Sequence, residues 1–357
     1  MMIKGEISNL ESSYILVSHT SADTLAIDTI QVDKKGKFRY YNTIDTLTVF
    51  TLYFNDFKTS AVVFADKDQK ITLSGDASFP DLIKINGNQL NDDITAFKKE
   101  NEDLLTQRGR LLQNIHQDNQ ILPDSNAHIL PRTEQTALLN SLNHELTLKA
   151  EDYIKEHPQK MASLILASDF FGNTENPQAL ERVLGYLNGD LAKSSMALGL
   201  KAYAEKISRS AEGVSMPYFQ VEDKSDKKIT SSDFSGKYLL LSFVSAAGEE
   251  SRQAIRTLKE SYRQFDKKFN KDSVQFISIY IDSDIYPVAY LEKDSIPWMI
   301  VAEKKSWASE IVDAYNVQFI PYNILITPSG IIKDRNIPSQ EVNNAIKNSA
   351  AKATPKN

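Results

Sequence analysis

Between residues 3 and 74 apolar and polar positions alternate with the two-residue period of half-buried strands. Ile3, Gly5 and Ile7 form one such set, Tyr14, Leu16 and Ser18 a second, and Ile27, Thr29 and Gln31 a third. The stretch Asp33-Lys34-Lys35-Gly36-Lys37 predicts a hairpin turn with a glycine free to take positive φ, beyond which Phe38 and Tyr40 resume the alternation. Further strands are predicted at 47–54, 60–65 and 70–74. Six or seven short strands, roughly ten residues apart, predict an antiparallel sandwich or open barrel. Its aromatic residues, Phe38, Tyr40, Phe50, Tyr53, Phe54, Phe57 and Phe64, fit the filling of a core better than the lining of a ligand face.

The period changes near Asn86-Gly87-Asn88. Leu90, Ile94, Phe97, Leu104, Leu111 and Ile115 recur every three or four residues, with Asn101 and Arg108 interrupting, and predict one long amphipathic helix. After the loop Leu122-Pro123-Asp124-Ser125 a second helix carries Leu139, Leu142, Leu146, Tyr153 and Ile154 and stops before Pro158. The two are expected to pair antiparallel. Shorter helices are predicted at about 159–171, 177–188 and 191–209, with Gly172, Pro177 and Gly189 as punctuation.

At 357 residues the chain is long enough for two or three cores. Its 41% hydrophobic and 25% charged content is that of an ordinary globular protein. The net charge of −6 is spread along the chain and forms no basic stripe, which argues against nucleic acid as a partner. No stretch reaches the roughly 18 apolar residues of a membrane span. The five histidines, at 19, 116, 128, 144 and 157, lack metal-ligand spacing and read as scattered surface residues; no metal or cofactor is expected. There is no cysteine, so thiol–disulfide exchange is chemically impossible.

The informative region opens with Gly213-Val214-Ser215-Met216-Pro217-Tyr218-Phe219. It continues through a polar segment to Asp233-Phe234-Ser235-Gly236-Lys237 and the apolar strand Tyr238 to Val244, with a helix predicted just after. A strand from Val274 to Ile281, a helical insertion up to Ser295, Ile296-Pro297-Trp298, a helix up to Tyr315 and Val317-Gln318-Phe319-Ile320-Pro321 follow. This order resembles the redoxin (alkyl-hydroperoxide-reductase/thiol-specific-antioxidant) branch of the thioredoxin-like proteins. The resemblance implies an α/β thioredoxin-like fold, a cis-proline at Pro321, and a redox motif between the apolar strand and its helix. At that motif the family carries two cysteines, a buried acid and two tryptophans. Here Gly248 stands at the attacking cysteine and Ser251 at the resolving one, with Glu249 and Glu250 between. Ser242 stands at the buried acid, and Val244 and Ala247 at the tryptophans. Losing all of these together points to a natural domain released from redox chemistry.

Glu249 and Glu250 fit a first helical turn, where acids offset the helix dipole, with Ser245 or Gly248 as cap. The alternative is a residual non-thiol enzyme or cation site there, with Ser251. Upstream, Ile85-Asn86-Gly87-Asn88-Gln89-Leu90-Asn91 and Tyr153-Ile154-Lys155-Glu156-His157-Pro158 resemble multi-domain envelope thioredoxin-like proteins of Gram-negative bacteria, which carry an uncharacterised N-terminal β-domain. The resemblance implies a periplasmic or envelope location, reached through a signal or lipid-anchor segment outside these 357 residues, with the cytoplasm left open.

The expected organisation is a β-sandwich domain at 1–88, a helical linker region at 89–210, a thioredoxin-like domain at 211–345 and a flexible tail at 346–357. The expected function is binding or scaffolding rather than catalysis. A groove formed by Phe319, Ile320, Pro321 and Tyr322 would receive an extended peptide or protein segment by strand addition. Ligand binding by the N-terminal β-domain is the other alternative.

Overall fold

The computed structural model describes residues 1–21, 24–118, 131–172, 175–223, 225–268, 273–282 and 296–353. The predicted loop at 122–125, His128 and the insertion before Ser295 lie outside them. Two compact units emerge, one of residues 1–173 with 180–200, the other of residues 174–179 with 201–357.

The first unit begins with strands β1 (Met2–Ser8), β2 (Tyr14–Ser21), β3 (Thr24–Gln31), β4 (Lys37–Tyr41), β5 (Thr48–Phe54), β6 (Thr59–Ala65), β7 (Lys70–Asp76) and β8 (Lys84–Asn86). They form two four-stranded sheets, β4-β1-β7-β8 and β3-β2-β5-β6. Both contribute to one core, in which Ile3, Ile7, Ile71 and Leu73 of the first meet Ile15, Val17, Phe50, Leu52 and Val63 of the second. The sandwich is not wholly antiparallel, because β1 pairs with β7 in parallel, Ile3 opposite Ile71. The Asp33–Lys37 turn is not a hairpin either. It carries the chain from one sheet to the other, since β3 and β4 belong to different sheets. Its glycine is required all the same. Gly36 has φ 77°, and a Cβ there would lie 1.9 Å from the Ile7 carbonyl oxygen.

The fully buried face of β2 is Ile15, Val17 and His19; on the other face Tyr14 and Leu16 are half-buried, and Ser18 is 9% exposed. The opposite face stays uncovered over much of its area. Leu25, Ile27, Val49 and Val62 are 44–65% exposed, and cross-strand registers place Ile27 by Ser18, Ser18 by Thr51 and Thr51 by Val62. Phe57 is exposed beside Tyr53, so that aromatic does not fill the core. Nor is His19 a surface residue. It is 7% exposed, lies tilted against the Phe50 ring at 5.0 Å, and joins Asp28, Tyr40 and Asn42 in a polar cluster.

Helices α1 (Gln89–Glu100) and α2 (Glu102–Asp118) replace the single long helix predicted. The break is at Asn101, whose side-chain amide donates to the Phe97 carbonyl and competes with the helical backbone. Arg108 interrupts nothing. It lies within α2, paired with Asp81 at 2.5 Å. Asn88 caps α1 by accepting from the Asn91 amide at 2.9 Å. The helices α3 (Arg132–Glu156), α4 (Met161–Phe171), α5 (Pro177–Tyr186) and α6 (Ser195–Ser208) follow.

On α3, Glu151 is 7% exposed and accepts two hydrogen bonds from Arg182, at 3.0 and 2.9 Å, and one from Tyr186 at 3.1 Å. The Arg182 bonds hold its carboxyl at about 2. Because the folded value lies below the unfolded one of about 4.3, the cluster's contribution is complete above roughly pH 5 and fades as pH falls from there. We expect Arg182→Met to flatten the pH dependence of the urea midpoint between about pH 5 and pH 3. An unchanged slope would refute the assignment.

The second unit contains β9 (Gln220–Glu222), β10 (Lys228–Thr230), β11 (Tyr238–Val244), α7 (Glu249–Lys268), β12 (Val274–Tyr280), β13 (Met299–Ala302), α8 (Glu310–Ala314), β14 (Tyr322–Ile326), β15 (Ile332–Asp334) and α9 (Val342–Ala353). Its five-stranded sheet runs β13-β12-β11-β14-β15, with β11, β12 and β13 parallel and β14 and β15 antiparallel. All seven residues of β11 are buried, as expected of a central strand covered on both faces. Leu239, Leu241 and Phe243 pack on one side with Ile311, Val312 and Tyr315 of the α8 region. Tyr238, Leu240 and Val244 pack on the other with Ile255 and Leu258 of α7 and Val342 and Ile346 of α9. Ile346 is fully buried, so the packed domain continues past 345 and the first part of the expected tail is core.

Candidate functional site

Strand β11 delivers the chain to the start of α7, and β14 begins alongside it, Phe243 opposite Tyr322. Two segments therefore meet at one end of the sheet: Ser245 to Ser251, and Phe319 to Tyr322. The Ile320–Pro321 bond is cis.

The first segment is closed upon itself. Ser245 Oγ donates to the Asp282 carboxylate at 2.6 Å and accepts from the amides of Ala247 and Gly248, each at 3.1 Å. Asp282 also accepts from the Ala246 amide at 2.9 Å and from the Ala247 amide at 3.2 Å. The amides of Ala246, Ala247 and Gly248, which lead into the helix, are thus bonded to an internal carboxylate and hydroxyl. Ser251 is 2% exposed and its hydroxyl accepts from the Ser245 amide at 3.0 Å, so it braces the loop. Gly248 leaves room: a Cβ there would lie 3.6 Å from Ser245 and 3.7 Å from Ser251 Oγ.

Ser242, at the position of the buried acid, is 2% exposed and donates to Asn323 Oδ1 at 2.7 Å. Asn323 in turn donates to the Ile337 carbonyl at 2.8 Å and to Ser339 Oγ at 3.2 Å. The buried strand ends are therefore linked by a neutral hydroxyl–amide chain with no group that titrates near neutrality.

Glu249 and Glu250 sit in the first turn of α7. Arg256 and Arg252, both within 3.0 Å, lower the Glu249 carboxyl below the ordinary carboxylate range, Arg256 contributing most. Both glutamates line a cavity of about 510 Å³ with Gln253, Pro321, Asn323 and Ser339. Among the described residues no group of three His, Asp or Glu is placed to hold a metal ion.

On the second segment Phe319 is 48% exposed and its ring lies 5.2 Å from that of Tyr322, edge to face. Among the described residues Phe319 and Ile320 make no backbone–backbone hydrogen bond. Tyr322 is buried, and burial raises its phenol well above the ordinary value. Its hydroxyl donates to Glu175 and accepts from Arg335 Nη2 at 3.0 Å. Arg335, Asn323 and Asp282 are structural parts of the site that sequence reading does not single out. Asp282 alone had a visible signal, its place at the end of the predicted strand running to Ile281.

Residues 1–94 match a family model described as a domain of unknown function (DUF4369), and residues 213–335 match the AhpC/TSA family. The chain is 26% identical over 121 residues to the thiol-disulfide oxidoreductase ResA of Bacillus subtilis (strain 168), a match covering 34% of this chain and 64% of that protein. Among solved structures, a thioredoxin-like protein from Bacteroides caccae is similar over 64% of this chain and 88% of its own, at 16% identity and TM-score 0.45. A thiol-disulfide oxidoreductase from Bacteroides fragilis is similar over 38% of this chain and 99% of its own, at 25% identity and TM-score 0.34.

Proposed function

We propose that this chain, whose C-terminal part is a thioredoxin-like domain of the AhpC/TSA kind with no cysteine, works by binding an extended peptide or protein segment beside Pro321. The observation that carries this reading is the pairing of lost chemistry with an open edge. The loop at Gly248 is closed by Asp282 and Ser245, while Phe319 and Ile320 make no backbone–backbone hydrogen bond among the described residues and lie next to a cavity of about 510 Å³. Strand addition draws its affinity from main-chain hydrogen bonds, which need no thiol, and its selectivity from neighbouring side-chain pockets. A role in the cell envelope, as a binding or scaffold protein, is part of the same proposal.

The test is binding of the intact chain to an array of random decapeptides, repeated with Ile320→Asp. A carboxylate at this half-buried position opposes an apolar strand laid across it, and we expect binding to fall by tenfold or more, equivalent to about 1.4 kcal/mol. Undiminished binding by a folded Ile320→Asp protein would sink the groove reading.

A further inference from the structure

We propose that two copies of this chain associate through the outward face of the sheet β3-β2-β5-β6, as a closed two-fold pair in which the two faces pack on one another. This association is independent of the groove beside Pro321. Two observations lead to it, the distribution of charge over the sandwich and the apolar area left uncovered.

The two sheets share one core, so each turns its other face outward. On β4-β1-β7-β8 that face is charged: Lys4 stands opposite Arg39 and Glu6 opposite Lys37, with Lys70 and Lys84 on the strands beside them, and all six are exposed. On β3-β2-β5-β6 the outward residues are every second one from Tyr14 to Thr20, Leu25 to Gln31, Val49 to Tyr53 and Ser60 to Phe64. None of them is Asp, Glu, Lys or Arg. A solvated sheet face is ordinarily the polar one, and the first sheet follows that rule in a chain with 25% charged residues. Depletion of charge on the second marks it as the centre of an interface.

The uncovered area agrees. Leu25, Ile27, Val49, Phe57 and Val62 are each about half exposed, and the Phe57 ring extends the patch from Tyr53. At about 200 Å² for a fully exposed residue of this size, these five leave roughly 500 Å² facing solvent, toward the top of the range for the largest apolar patch of a soluble monomer. With the exposed Thr20, Thr29 and Ser60 the face approaches the about 800 Å² that each partner buries in a stable interface.

The same features select the occupant. A face without charge offers a foreign protein no electrostatic complementarity by which to be chosen. A second copy needs none, because in a two-fold pair the patch meets itself and no like charges are opposed. The pair would also repeat the sheet-on-sheet packing that forms this domain's own core.

The test is sedimentation velocity of the intact chain from about 1 to about 100 µM, beside Ile27→Lys, Val62→Lys and, on the opposite sheet, Lys4→Glu. The unsubstituted chain and Lys4→Glu are expected to reach twice the monomer mass and to level off there. Ile27→Lys and Val62→Lys each bring like charges into the paired faces and should weaken association by roughly a hundredfold or more. Both sites are exposed, so far-UV circular dichroism and the urea midpoint should stay those of the unsubstituted chain. If a lysine variant loses that dichroism, Ile27→Thr takes its place; it keeps a β-branched side chain and should weaken association about tenfold. A chain that remains monomeric at about 100 µM overturns the proposal. A dimer that persists in both folded lysine variants overturns it too, by placing the contact elsewhere. A mass that rises without levelling off would mean open-ended pairing of strand edges and would equally refute the closed pair.

Discussion

A Gly248→Cys, Ser251→Cys double variant is expected to close an intramolecular disulfide with oxidised glutathione, yet to reduce insulin only slowly. The geometry favours closure. Gly248 does not occupy the left-handed region, a Cβ there meets nothing nearer than 3.6 Å, and that Cβ would lie 3.7 Å from the oxygen that a second sulfur replaces. The two side chains therefore start close enough for rotation about their Cα–Cβ bonds to bring the sulfurs together. In the closure glutathione disulfide takes both electrons and both protons of the dithiol, releasing two glutathione molecules, and the chain loses two hydrogens by mass.

The slow reduction has a separate cause. A thiol at position 248 would begin a helix of 20 residues, whose dipole favours the thiolate. The Asp282 carboxylate opposes this, because it holds the amides of Ala246 and Ala247 and adds a like charge to the loop that carries the new sulfur. The introduced thiol should accordingly titrate near the free-cysteine value of about 8.5. Adding Asp282→Asn should lower it by about one unit and raise the initial rate of reaction with a disulfide dye at pH 7 severalfold. If the double variant stays a dithiol under excess oxidised glutathione, the retained geometry is refuted. If Asp282→Asn leaves the thiol unchanged, the carboxylate is not what closes the site.

The sequence carries the strands of the first domain and the layout of the second plainly, but not which side of a strand is buried. Tyr14, Ile15, Leu16 and Val17 are all apolar, so period-two alternation offers two equal choices; packing against β1 and β7 selects Ile15 and Val17. The turn at Gly36 was legible because positive φ leaves a chemical mark. Its sheet-to-sheet crossing was not, since nothing local distinguishes that from a hairpin. The degenerate motif could be read residue by residue from Ser242 to Ser251, as each position has a defined place relative to the apolar strand. What fills it could not. Asp282 lies 35 to 37 positions beyond the residues it bonds, Ala247, Ala246 and Ser245, and those bonds exist only because β12 runs parallel to β11 and ends beside it. Long-range polar partners of this kind leave no periodic signature.

Arg335→Met is expected to be the most damaging single substitution near the groove, lowering the stability of the C-terminal unit by about 3 kcal/mol. The guanidinium is 4% exposed in its side chain and every face of it is used. It donates to the Glu175 carboxylate at 3.2 Å, to the Tyr315 carbonyl at 2.8 Å, to the Tyr322 hydroxyl at 3.0 Å and to the Ser210 carbonyl. Removing it strands two buried carbonyls and leaves Tyr322 bonded to a carboxylate that has lost its cation. Methionine fills part of the volume but supplies no donor. Glu175→Gln should cost less, about 1 kcal/mol, because Glu175 is 37% exposed and Arg335 keeps its carbonyl partners. Both tryptophans of the chain, Trp298 and Trp307, belong to the C-terminal unit, so their fluorescence during urea unfolding reports that unit alone. A loss of less than about 1 kcal/mol in Arg335→Met would mean that water replaces the guanidinium at little cost. A loss of the expected size, accompanied by weaker peptide binding under conditions where the unit is still folded, ties the groove to this network. Tyr322 directly follows Pro321, so the bonds that fix its hydroxyl also fix the chain that a bound segment would pair with.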